Sequence, residues 1–291
     1  MTAFRTATVW LTVLFLLAGC ASSPTAPPAT PPAAPATSAA PSDTASPSST
    51  VTSSTGPSAT AASAAPSPPP SPSSSPGVPA AYVAGAPYTV TLDPSDFVTT
   101  IDNPYLPWKP GMRWVYRGGD ERTEVTVLPE TKTILGIVAV VVHDQVFTGR
   151  DLTEDTFDWY AQDRAGNVWY LGEATEELDH GKVTTTEGSW EAGVDGAQPG
   201  VVMPAQPQVG VPYRQEYLQG EAEDLAKVVK LGAKRAVRAG AYRDVLISEE
   251  WTPLEPTILE HKSYAPGVGL ISEQPLKGGG DPTELVSFSG G

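Results

Sequence analysis

Three histidines, one cysteine and 33 acidic residues set what chemistry this 291-residue chain could carry. A nucleophilic hydrolase needs a Ser or Cys whose proton a nearby His can take, with a carboxylate orienting that His. No Gly-x-Ser-x-Gly elbow occurs, and the histidines are scattered: His143 closes an apolar run, His180 sits in the turn Leu178-Asp179-His180-Gly181, and His261 lies beside Glu260 in a strand-like segment. Each reads as structural. With no His-x-x-x-His, no His-Glu-x-x-His and no cysteine pair, a zinc centre would need single residues from distant places. Two acidic runs, Asp151, Glu154, Asp155 and Asp158, and Glu216, Glu221, Glu223 and Asp224, offer the oxygen ligands calcium takes. Neither has the Asp-x-Asp-x-Asp-Gly form of a dedicated loop, so both read as solvated faces. No metal, cofactor or catalytic residue is assigned. Paired carboxylates near tryptophan remain, because these serve glycan hydrolysis. Trp114 and Trp159 fit core positions by alternation, whereas Trp190 lies in a long Gly/Pro-rich segment near Glu191 and Asp195. Trp190, Glu191, Asp195, Met203 and Glu216 form the candidate ligand-binding set.

Cys20 has a different role. Residues 1–19 combine one cation, a short apolar stretch and small residues, the make-up of a secretory signal too short to span a bilayer. Leu17-Ala18-Gly19-Cys20 resembles the bacterial lipobox. The resemblance implies cleavage before Cys20, a diacylglyceryl group on its sulfur and often a further acyl chain on its amine. At ~0.8 kcal/mol per buried methylene, two or more chains anchor a protein stably. The expected location is the cell membrane, lipid-anchored, on its extracytoplasmic side, with Cys20 as the lipid attachment.

The elements that position any site must come from the rest of the chain. Residues 21–80 hold 16 Pro, 24 Ser or Thr and 15 Ala, with Asp43 as their only charge. Such a segment has too little apolar bulk to repay the entropy of ordering, and reads as a disordered tether spanning residues 20–80 with the anchor. Its reach lies between about 45 Å as a coil and roughly 190 Å fully extended. Residues 81–291 form one expected domain. They carry 32 Asp and Glu against 17 Lys and Arg, hence the whole net charge of −15. That balance excludes nucleic acid as a partner and adsorption to anionic lipid by charge alone.

Within this domain, short runs rich in Val, Ile, Thr, Tyr and Trp alternate with Gly, Pro, Asp and Asn turns, the pattern of antiparallel β structure. Alternation places Met112, Trp114 and Tyr116 on a buried face and Arg113 and Arg117 opposite. Residues 137–142 read as a central strand, and 157–162 with 168–171 as a hairpin about Asp163-Arg164-Ala165-Gly166-Asn167. One short helix is expected at 221–227, where acidic residues lead and a lysine ends the turn. Ten or more strands predict an all-β, mainly antiparallel meander: a curved sheet, half-barrel or barrel. Residues 187–210 show no periodicity and are expected to cover the sheet as a long loop.

The stretches Asn103-Pro104-Tyr105-Leu106-Pro107-Trp108-Lys109-Pro110-Gly111, Asp158-Trp159-Tyr160-Ala161-Gln162-Asp163 and Tyr264-Ala265-Pro266-Gly267-Val268-Gly269-Leu270 resemble a family of bacterial secreted proteins and lipoproteins. That family has no established reaction, so the resemblance implies membership and no site. A weaker architectural analogy is to LolA-like half-barrel carriers, although this chain lacks their long helices. The functional expectation is a non-enzymatic binding or structural β domain, for an apolar or wall ligand or an envelope protein. The alternative is an envelope glycan hydrolase using carboxylates such as Glu191, Asp195 or Glu216.

Overall fold

A computed structural model of the chain describes residues 81–290. The signal segment, Cys20 and the tether lie outside the described residues. After a single 3-10 turn at Pro94–Asp96, the chain is β throughout, and antiparallel pairing joins its strands into one sheet. A two-residue strand β1 (Phe97–Val98) precedes the long meander of β2 (Arg113–Gly118), β3 (Glu121–Ile134), β4 (Ile137–Thr148), β5 (Asp151–Asp163) and β6 (Val168–Asp179). Short strands follow: β7 (Lys182–Thr185), β8 (Trp190–Glu191), β9 (Gln198–Met203), β10 (Pro212–Arg214) and β11 (Glu216–Tyr217). A second meander closes the domain with β12 (Leu225–Val237), β13 (Gly240–Trp251), β14 (Leu259–Ala265), β15 (Gly269–Lys277) and β16 (Thr283–Ser289).

The order in the sheet is β10-β12-β13-β14-β15-β16-β2-β3-β4-β5-β6-β9-β11. Its two end strands, β10 and β11, are separated in sequence by Gln215 alone, so the ends meet and the sheet is a nearly closed barrel. Closure removes the exposed edges on which an open sheet aggregates. A Cβ on Gly200 of β9 would come within 2.2 Å of the Gln215 carbonyl carbon, so the seam depends on the absence of a side chain there.

Burial follows the two-residue period of a strand with one face inward. On β2, Trp114 and Tyr116 are buried and Arg113 and Arg117 exposed, as the alternation predicts, with Met112 buried just before the strand. On the outer face Arg113 and Arg122 both pair with Glu124. The predicted hairpin is β5–β6, longer at both ends than the sequence indicates. Its turn is tied by Asp163, whose carboxylate accepts from the Asn167 amide and from Trp169 Nε1. In β4, residues 139–142 are buried on both faces, as expected of a central strand.

Two expectations are corrected. Residues 221–227 form no helix: Gly220, at φ 80°, turns the chain, the Glu223 carboxylate accepts from the Gly220 amide, and β12 begins at Leu225. The acidic lead that suits a helix start here serves a β turn. Residues 187–210 are more than a covering loop, because β8 and β9 within them join the sheet through β6.

Candidate functional site

The inward face of β4, β5 and β6 carries Asp144, Glu154, Asp158 and Glu173, each buried. Alternation brings the first three inward beside Val142, Val146, Thr156 and Tyr160. Glu173 reaches the same face through a β-bulge. Trp159 pairs with Gly172 and Tyr160 with Tyr170, leaving Leu171 as the extra residue. The bulge shifts the inward phase by one, so Tyr170 and Glu173 share a face although their numbers differ by three. Gly172 permits it: its φ is 133°, and a Cβ would lie 2.3 Å from the Trp190 carbonyl oxygen.

These side chains make a continuous polar ladder. The Thr175 hydroxyl donates to Glu173 at 2.8 Å, the Thr156 and Thr175 hydroxyls lie 3.0 Å apart, and Thr156 meets Glu154 at 3.3 Å. Tyr170 donates to Asp158 Oδ1 at 2.6 Å, with its ring stacked on Tyr160 at 4.6 Å. The ladder's hydrogen bonds run through hydroxyls, and burial favours the neutral forms of its carboxyl groups. Burial pushes Glu154 up to about 7. It also pushes Asp158 to about 7, against the lowering effect of the Tyr170 and Tyr160 hydroxyls. Burial, then the neighbouring Asp158, holds Glu173 well above the carboxylate range. Asp144 is raised likewise by burial and then by Asp158, Glu154, Glu273 and Glu173.

Asp144 and Asp158 also line a cavity of about 50 Å³. The rings of Trp108, Trp114, Tyr116, Tyr160 and Tyr264 wall it, with Leu106, Val125, Val142, Val202 and Leu270. Most polar tips of these rings are engaged elsewhere: Trp114 Nε1 donates to the Val268 carbonyl, Tyr116 to that of Leu270, and Tyr264 to Glu250. Asp144 Oδ1 is buried with no hydrogen-bond partner. Trp108, half-buried, has its ring 4.0 Å from that of Tyr160.

A second cluster lies across β13, β14 and β15. Lys262, 2% exposed, sits 3.2 Å from Glu250, 3.1 Å from Glu260 and 3.5 Å from Glu273. Burial opposes its charge, but the three carboxylates outweigh that and hold the ammonium well above its ordinary range. One ammonium cannot balance three acids, and Glu273, which accepts no hydrogen bond, is pushed by burial to about 8.

The residues singled out in the sequence are placed as follows. Trp190 and Glu216 come together, with Trp190 Nε1 donating to Glu216 Oε2 at 3.0 Å inside the protein. Met203 is buried in the core. Glu191, next to Trp190 in β8, points the other way and pairs with Lys132 at 2.7 Å, while Lys132 also caps the Trp159 ring. Asp195 occupies a tight turn at φ 50°. His143 stacks on Phe157 and meets Asp155 at 2.7 Å on the outer face, and His180 is an exposed turn residue. Alternation also divides the run from Asp151 to Asp158, with Glu154 and Asp158 inward and Asp155 outward. Among the described residues no group of three His, Cys, Asp or Glu is arranged to hold a metal.

No protein-family model matches the chain, and no curated protein matches it. A solved structure of a "putative lipoprotein" from Parabacteroides distasonis is similar over 64% of this chain and 99% of that one, at 10% identity and a TM-score of 0.31.

Proposed function

We propose that this chain is a lipid-anchored protein of the cell envelope, held by Cys20 and set off from the membrane by the 21–80 tether, whose barrel binds a small ligand without catalysing a reaction. The observation that carries the binding reading is the aromatic-lined cavity with the unpartnered Asp144 Oδ1 at its wall. A buried acceptor left unmade costs about 1–3 kcal/mol, which a bound donor would recover. The cavity volume of about 50 Å³ has room for roughly three to five heavy atoms, taking ~10–15 Å³ per water-sized occupant. An acyl chain needs far more space, so carriage of lipid inside the barrel has no support. Glycan hydrolysis is likewise weakened, because its carboxylates must face each other across an open cleft. Here Glu216 is buried against Trp190, and Glu191 lies on the other side of β8, paired with Lys132.

The test is ligand-observed NMR on the full chain with a mixture of fragments of this size, cationic, neutral and anionic. At least one should bind with 1:1 stoichiometry and be excluded by Val125→Leu, which adds a methylene to the cavity wall. If no fragment binds, the binding reading is lost and a purely structural barrel takes its place. The anchor is tested apart from this: Cys20→Ser should move the protein from the membrane fraction to the soluble fraction or block its processing. An unchanged membrane fraction would refute the anchor.

A further inference from the structure

Resting on the binding reading above, the geometry points to a specific ligand class: we infer that the cavity between Asp144 and Asp158 is a site for a small organic ammonium group, bound by ring faces and by a carboxylate. Three features of the lining converge on this chemistry. Five aromatic side chains surround the space, and their faces are the electronegative side of the ring, the surface that receives ammonium groups in aromatic cages. Two carboxyl groups open onto the same space from adjacent strands. Val142 pairs with Asp158 and Asp144 with Thr156, so Asp144 and Asp158 are diagonal cross-strand neighbours within mutual reach. Asp144 Oδ1 has no donor, whereas the Asp158 carboxyl is held by Tyr170. Asp158 is thus a fixed wall and Asp144 the free acceptor.

The groups around Asp144 suit a cation better than a neutral donor, because all of them are acids that a bound cation would help to ionise. The groups acting on it are Asp158 and Glu154 from β5, Glu173 from β6 and Glu273 from β15, all acidic; Tyr116 on β2 and Tyr160 on β5 are its phenolic neighbours. No cationic side chain lines the cavity. An entering ammonium would balance the charge left when one carboxyl ionises. Because Asp144 and Asp158 favour their protonated forms in the empty barrel, binding is an exchange: the cation enters as one carboxyl gives its proton to solvent, and net charge in the chamber is conserved. Affinity should therefore climb as pH rises, by up to about tenfold per pH unit while the displaced proton is still bound.

The experiment is calorimetric and NMR titration of the full chain with ethylammonium and tetramethylammonium, each against a neutral mimic, ethanol and tert-butanol. The expected result is at least tenfold tighter binding of the cations, about one proton released per cation bound in buffers of different ionisation enthalpy, and tightening with pH. Asp144→Asn, which keeps the shape and removes the charge, should abolish both the preference and the proton release. If Asp144→Asn fails to fold, Asp158→Asn carries the same expectation in weaker form, and the pH dependence of the wild-type chain stands by itself. Ethylammonium binding no more tightly than ethanol, or binding without proton release, overturns the ammonium assignment while leaving a binding cavity in place. No binding of any of the four compounds also overturns the ammonium assignment, and the fragment mixture then decides the binding reading.

Discussion

The barrel buries two groups of acids and neutralises them in opposite ways. Across β4, β5 and β6, the acids Asp144, Glu154, Asp158 and Glu173 are compensated by protonation and, at Glu154, Asp158 and Glu173, by hydroxyl groups. Across β13, β14 and β15, Glu250, Glu260 and Glu273 surround Lys262. The first arrangement keeps a proton store beside a cavity and leaves one acceptor open. The second gathers its acids about one buried ammonium, although both Glu273 oxygens remain without a hydrogen-bond partner. A buried acid near an unfilled space can be exchanged for something else, whereas an acid locked to a buried lysine is scaffold.

The largest expected effect comes from breaking the second group. Lys262→Met leaves buried Glu250 and Glu273 and half-buried Glu260 without their cation, and should cost about 3–5 kcal/mol in denaturant unfolding, more at alkaline pH. Asp158→Asn in the first group should be near neutral at pH below the ordinary carboxylate range and stabilising at neutral pH. Equal losses in the two variants would erase the distinction. Next in size is the seam between the sheet's ends. Gly200→Ala places a Cβ against the Gln215 backbone and should cost roughly 1–3 kcal/mol, with faster amide exchange along β9 and β11 than along β4. Protection unchanged at the seam would contradict closure there.

The effect that separates the groups by pH is titration. Glu154 and Asp158 have folded pKa values near 7, above the range near 4 of an unfolded chain, so their folded forms hold protons longer. Their stabilising contribution is full below the unfolded pKa and fades as pH rises through about 7. Each group should lower stability by up to about 1.4 kcal/mol per pH unit over that window. Lys262 is also raised, so its contribution persists until pH climbs past the lysine range. Urea midpoints measured across this window should fall with pH in the wild type and fall less steeply in Asp158→Asn. Parallel slopes would contradict the protonated ladder.

The sequence discloses the strands better than it discloses the interior. Trp114 and Tyr116 announce their inward face because arginines occupy the other one, and Asp163-Arg164-Ala165-Gly166-Asn167 announces its hairpin through turn chemistry. Asp158 and Glu154 are harder, because Asp155, Phe157 and Trp159 make the opposite face of β5 equally mixed; acids on either face look solvated until register sets Asp158 beside Val142. Glu173 is hidden by the bulge at Leu171 and Gly172, which breaks the period by which its face would be read. Asp144 was within reach of pattern alone, lying between Val142 and Val146 at the inward spacing. The 221–227 segment misleads because charge order suits a helix start while Gly220 turns the chain into a strand. Trp190, isolated among Gly and Pro in sequence, is drawn into the core by the closeness of β8 to Gly172, where it meets Glu216.

In this account the chamber's carboxyl groups hold protons when it is empty and exchange one for a ligand. Carbon-13 shifts of the Asp144 and Asp158 carboxyls, followed through a pH titration of the full chain, test it most directly. The predicted result is that Asp158 changes charge near pH 7 and Asp144 well above the ordinary carboxylate range, with midpoints that fall when ethylammonium is added. Midpoints near ~4 for both groups, the ordinary carboxylate range, would contradict it.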